Sequence, residues 1–181
     1  VTAVLPGDLG LVRMCGAGGV AIGVAEWLDE VAQGHWRKAD RDSLYRHVFV
    51  VESVDGNVVH AVEGWPGGAR RNTYRLDDAT ILWSSGRVDL TDAQRATIVA
   101  WAVEHLGAGY SWLDFACQAA MNLRVPLAGR WLERRVIKSG HYLCSAYGMA
   151  AYHAAAAELW SPPRWCGAVA PSDIADQLDE G

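Results

Sequence analysis

Several things are scarce in this sequence, and each absence excludes something. No CxxC pair occurs, and the four cysteines, Cys15, Cys117, Cys144 and Cys166, stand far apart. Structural zinc sites use closely spaced ligand pairs, and disulfide scaffolds are short and cysteine-dense, so neither is expected. The six histidines show no His-x-x-x-His spacing, and no metal or other cofactor is expected. Lysine is nearly missing, with only Lys38 and Lys138, and 16 basic against 21 acidic residues leave a net charge of −5. A module that neutralises phosphates needs a basic face, so nucleic acid is not an expected partner. The longest apolar stretch, residues 146–157, is interrupted by tyrosine, glycine and histidine, so no membrane span is expected. Residues 1–8 carry neither a basic segment nor the apolar core of a secretory signal.

What is present is ordinary globular composition: 51% hydrophobic and 20% charged residues in a chain of 181. That length suits a single domain over residues 1–181. Aromatic content leans on nine tryptophans against two phenylalanines. Trp65, Trp83 and Trp112 are candidates to line a groove, with core packing as the plainer alternative.

The first half reads as β and the second as α. A strand is predicted over 9–14, then a bend over 16–19 and a helix over 20–32. Residues 46–54 and 57–63 are β-branched runs flanking Asp55-Gly56, a strong hairpin signal. Two more short strands follow over 71–76 and 80–84. Thr91 and Gln94 form a capping box for a helix to about residue 106. Further helices are predicted over 111–123, 126–137, 144–160 and 172–178. The fold class is therefore α+β.

Three residues could carry chemistry. Cys144 opens a long predicted helix, where free backbone N–H groups and the helix dipole favour a thiolate. His47 opens the first strand of the hairpin, and His60 lies within the second. A cysteine, a histidine and a polar group that orients the imidazole make a complete nucleophilic set. Among the other histidines, His141 and His153 read as structural or exposed, and His35 and His105 as surface residues.

At this point the chain resembles the circularly permuted NlpC-type papain-like cysteine hydrolases, with the YiiX-like proteins as the nearest subgroup. Residues 6–11, Pro-Gly-Asp-Leu-Gly-Leu, are similar to that group's opening turn. Residues 46–51 and 58–62 resemble its histidine hairpin, and residues 142–146, Tyr-Leu-Cys-Ser-Ala, its nucleophile helix. Residues 106–111 resemble its Gly-Tyr segment, and 170–175 its terminal Pro-x-Asp-Leu element. The segment Gly64-Trp65-Pro66-Gly67 matches no motif. The resemblance implies a papain-like antiparallel half-barrel sheet packed against helices. It implies Cys144 as nucleophile, His47 as base and acid, and His60 as orienter. The backbone N–H of Cys144 would serve as oxyanion donor, and Tyr110 is a groove candidate. YiiX-like proteins often carry Glu where this chain has His60.

The hairpin geometry leaves the third member open. With a two-residue turn at Asp55-Gly56, His60 faces Val51 and His47 faces Gly64. The two histidines then share a face but stand roughly 13 Å apart along a flat ladder. A bulge would exchange faces, which keeps Glu52 and Glu63 as reserve candidates.

The activity the resemblance implies is hydrolysis of an amide bond in a cell-wall (peptidoglycan) peptide. Such domains occur in bacterial envelope enzymes and in phage lysins or tail-tip proteins. Without a signal segment, a phage tail or lysis component, or a non-Sec route to the envelope, is the expected setting, with other tail or envelope proteins as partners. Two alternatives stand beside it: an acyltransferase or thioesterase on the same fold, as in relatives such as lecithin retinol acyltransferase, and a non-catalytic structural module of a phage tail.

Overall fold

A computed structural model describes residues 3–13, 45–109, 142–161 and 169–180. The predicted bend at 16–19, the helices over 20–32, 111–123 and 126–137, and Cys15, His35, Tyr110, Trp112, Cys117, His141 and Cys166 lie outside the described residues.

Within them the chain is α+β. Strands β1 (Leu9–Val12), β2 (His47–Asp55), β3 (Val58–Glu63), β4 (Arg70–Arg75) and β5 (Ile81–Trp83) precede helices α1 (Asp92–Glu104), α2 (Cys144–Ala154) and α3 (Pro171–Glu180). The strands form one antiparallel sheet in the order β4-β3-β2-β1-β5. Among the described residues no helix is long and apolar enough to cross a membrane.

Alternation along the strands gives the sheet two apolar faces. Leu9, Leu11, Val48, Val50 and Val62 join a core with Ile98 and Ala102 of α1, Tyr147 and Ala151 of α2, and Ile174 and Leu178 of α3. Phe49, Val51, Val59, Ala61 and Ile81 form a second cluster, flanked by Tyr74 and Trp83. Both faces of β2 are thus covered, so its run of five buried residues is continuous rather than alternating.

Gly10 shows how tightly the second face is built. It pairs with Phe49 across β1 and β2, and a Cβ there would lie 2.1 Å from the Phe49 ring. Phe49 in turn stacks on Tyr74, with centroids 4.0 Å apart. The missing side chain is what admits the ring. Gly10→Ala is expected to destabilise the fold by about 3 kcal/mol, because a methyl must displace a stacked aromatic from a filled core. Urea unfolding would read this as a fall in midpoint.

Local signals set the helix starts. Thr91 caps α1, and the reciprocal bond from the Gln94 side chain completes the box. Before α3, the Ala170 N–H donates to the Asp173 carboxylate at 2.8 Å, with Pro171 as the first helical residue. The end of α2 differs from the predicted one. The helix stops at Ala154 rather than continuing to 160, because Ala156 adopts φ 50° and the Ala157 N–H turns back to the Tyr152 carbonyl. Nothing in an all-alanine run announces that left-handed residue.

The opening turn anchors β1. Gly7 takes φ 87°, donates to the Val51 carbonyl and accepts the Tyr152 hydroxyl. The buried Asp8 carboxylate accepts from the Leu5 N–H, the Ser85 hydroxyl and Arg95 of α1. One carboxylate thereby ties the turn, the end of the sheet and a helix together.

Candidate active site

The site grows from a single irregularity in the hairpin. At its tip Asp55 pairs with Val58 and Ser53 with His60, so Gly56-Asn57 is the two-residue turn, one position beyond the predicted one. Between Val51 and Ser53 the register shifts, and beyond this bulge Val51 pairs with Ala61 and Val50 with Val62. A one-residue shift inverts which side chains share a face. Past the bulge, Glu63 therefore joins Phe49 and His47 on one face, as the diagonal neighbour of His47. His60 points to the other face, opposite Ser53 and near Glu52.

The third member is thus corrected. His60 is not a partner of His47 in the structure; the reserve candidate Glu63 is. Its Oε2 accepts from His47 Nε2 at 2.7 Å, with His47 4% exposed and Glu63 0%. The other reserve candidate, Glu52, instead pairs with Arg71 on the outer part of the sheet.

Glu63 is fully employed. Its Oε1 accepts from Arg70 Nε at 2.8 Å and Asn72 Nδ2 at 3.1 Å, while Oε2 accepts from His47 and the Tyr74 hydroxyl. Four donors match the four lone-pair directions of a carboxylate. Arg70, Asn72 and Tyr74 share a face because β4 pairs with β3 in unbroken register, setting them opposite Glu63, Ala61 and Val59. Sequence reasoning missed all three. The alternation of 70–75 is visible, but its phase relative to Glu63 is set by pairing with another strand.

Cys144 is the first residue of α2 and is buried, with a free thiol. Leu143, the N-cap, makes no side-chain capping bond, so the first-turn N–H groups are not used by a cap. The start of α2 is held by Ser145, whose hydroxyl donates to the Val169 carbonyl, and by Tyr147, whose hydroxyl donates to the Ala102 carbonyl. Gly64 brings the end of β3 against it: a Cβ there would lie 3.3 Å from the Cys144 Cα and from the Leu143 carbonyl oxygen. Gly148 lets α2 press on the sheet in the same way, beside Leu9 and Val48.

His47 hydrogen-bonds both Glu63 and the Cys144 side chain. With Nε2 engaged by Glu63, Nδ1 is the ring nitrogen left to face the sulfur. Burial opposes a charged imidazole, but the sulfur and the carboxylate outweigh it and raise His47 to about 9. Burial likewise opposes the thiolate, yet the His47 hydrogen bond and charge, with the backbone N–H groups of Val48 and Ser145, bring the Cys144 thiol below its usual range. Glu63, despite burial, is held at about 2 by His47, Tyr74 and Arg70. The arrangement favours a thiolate–imidazolium pair backed by a carboxylate.

This pairing has a measurable consequence. A neutral alkylating reagent such as iodoacetamide reacts with the thiolate. In His47→Ala the buried sulfur loses its cation while burial still opposes its charge, so its titration moves up. Labelling of Cys144 at neutral pH is expected to slow by about tenfold or more, with the rate recovering only at higher pH. An unchanged labelling profile would exclude His47 as the group that lowers the thiol.

Trp65 completes the surroundings. Continuing the β2–β3 register past Glu63 sets it opposite His47, and its ring meets the imidazole edge-on, with centroids 5.3 Å apart. The Arg70 guanidinium lies over the Trp65 ring, 4.0 Å from its centroid. Of the other groove candidates, Trp83 is instead an edge-on neighbour of Phe49 in the second cluster. His105 stacks on Trp101 at the end of α1, and His153 pairs with Glu158. Among the described residues no group of three or more histidine, cysteine or acidic side chains could hold a metal ion. Comparison with protein-family models, with curated proteins and with solved structures returned no match.

Proposed function

We propose that this chain is a papain-like cysteine hydrolase of the permuted NlpC-type order, with His47 preceding Cys144, that cleaves an amide bond in a cell-wall peptide. The observation that carries the reaction type is His47 bridging the Cys144 sulfur at a helix N-terminus and the buried Glu63 carboxylate. The choice of peptide rests on the five motifs that resemble that group, as does a setting in a phage tail or the cell envelope.

The Cys144 thiolate attacks the amide carbonyl, and a C–S bond forms. The developing oxyanion is accommodated by the Cys144 backbone N–H. The His47 imidazolium gives its proton to the leaving nitrogen, and the C–N bond breaks. His47, now neutral, takes a proton from water, and the resulting hydroxide attacks the thioester. The acid departs, and thiolate and imidazolium are restored. Glu63 keeps the imidazole oriented and stabilises its cationic form throughout.

Purified muropeptides incubated with the wild type and with Cys144→Ser, and followed by mass spectrometry, test the reading. It requires a new carboxyl and amine terminus with the wild type alone. Cleavage by both proteins would remove Cys144 from the reaction.

A further inference from the structure

The segment Gly64-Trp65-Pro66-Gly67, which matched no motif, leads into β4, whose first residue, Arg70, stands beside the dyad with its terminal nitrogens open. Arg70 projects from edge strand β4 with its side chain 45% exposed. Its Nε is committed to Glu63, and its plane lies on Trp65. Neither terminal nitrogen has a hydrogen-bond partner among the described residues. An arginine held at both its neck and its face has already lost much of its rotamer freedom. Its open end presents two parallel N–H donors, the arrangement that receives a carboxylate in bidentate fashion.

The position of this fork follows from the proposed reaction, on which the inference rests. The proton donor to the leaving amine is His47, so the leaving half of a substrate must lie against His47. Trp65 is the aromatic neighbour of that ring, and Arg70 lies on Trp65. Contacts of 5.3 Å and 4.0 Å separate imidazole, indole and guanidinium. An extended chain advances about 3.3–3.6 Å per residue, so a group one or two residues beyond the scissile bond falls within reach.

The geometry points to Arg70, braced by Trp65 and Glu63, as a specificity residue that binds a carboxylate on the leaving-group side of the substrate. The substrate class is thereby narrowed to acyl amides whose departing fragment carries a free carboxylate one or two residues past the cleaved bond.

The test uses a pair of stem-type peptides identical except that the leaving fragment ends in a carboxylate or in its carboxamide. For the wild type, kcat/KM is expected to favour the carboxylate by about 10–100-fold, the range of a charge-assisted hydrogen-bonded pair. In Arg70→Gln that ratio should fall towards one, and in Arg70→Lys it should lie between. A purely structural role for Arg70 would slow both peptides alike and leave the ratio unchanged, which overturns the inference. The wild-type ratio needs no variant to fold: equal cleavage of the two peptides overturns the inference while leaving the hydrolase reading intact. Cleavage of neither defeats the hydrolase reading, and this inference with it.

Discussion

Replacing Cys144 by alanine should lower the rate of muropeptide hydrolysis by about 10⁴-fold or more while leaving the fold in place. No other described side chain can substitute for it: Cys144 is the only free thiol among the described residues, and the hydroxyl of Ser145 is committed to the Val169 carbonyl. The helix should tolerate the change, since alanine is its best former and removing one sulfur leaves only a small void. Cys144→Ser should be nearly as inactive, because a hydroxyl gives up its proton to imidazole far less readily than a thiol. The same variants should lower the titration of His47, because the sulfur is one of the groups that raise it to about 9. The His47 ring signals in an NMR pH titration report that fall directly. A residual rate within tenfold of the wild type would place the chemistry elsewhere.

Glu63→Gln should combine a large loss of activity with a large loss of stability. The carboxylate accepts from His47, Arg70, Asn72 and Tyr74 inside the protein. Glutamine keeps one acceptor oxygen and turns two donors towards a set of donors. Breaking a buried ion pair on one side costs about 3–5 kcal/mol. The half-exposed Arg70 recovers water, so the lower end is expected here. Hydrolysis should fall on the order of 10²–10⁴-fold, because the imidazole loses both its orientation and the charge that stabilises its protonated form. The proposed mechanism ties the alkaline limb of the pH–rate profile to His47, which titrates near 9, so in this variant that limb should move to lower pH.

Acid stability gives a second sign for the same variant. Glu63 titrates at about 2 in the folded protein against 4.5 for a free glutamate. Its contribution is complete above pH 4.5 and is lost as pH falls towards 2. The variant lacks that contribution, so the difference in urea midpoint between the two proteins should narrow as pH falls through that window. His60→Ala is the matched control, since His60 lies on the other face of β3 from Glu63. It should leave hydrolysis within about twofold, whereas a loss comparable to that of Glu63→Gln would restore His60 as the orienting group.

These residues also show how far reading along the chain could go. The capping box at Thr91 and Gln94, the hairpin around Gly56, and a cysteine at the start of a helix are encoded within a few positions of themselves. Each is a local contest between backbone conformations, decided by side chains that sit next to the affected peptide groups. The pairing of His47 and Cys144 was reachable from the order of the motifs. The third member was not, because the choice between His60 and Glu63 turns on the parity of one register. That parity is set by a bulge between Val51 and Ser53, and the pairing there must satisfy two buried faces of β2 at once.

The same reason explains the rest of what remained hidden. Arg70, Asn72 and Tyr74 meet Glu63 only through the alignment of β4 on β3. Trp65 meets His47 only once the bulge has turned it to that side. The end of α2 at Ala154 is set by a left-handed Ala156, and the neighbouring alanines carry no sign of it. A cysteine at a helix start and the order of the motifs thus brought forward the sulfur and the imidazole as candidates. The carboxylate behind them was chosen by long-range burial, since a slip of one residue would carry Glu63 out of reach of His47.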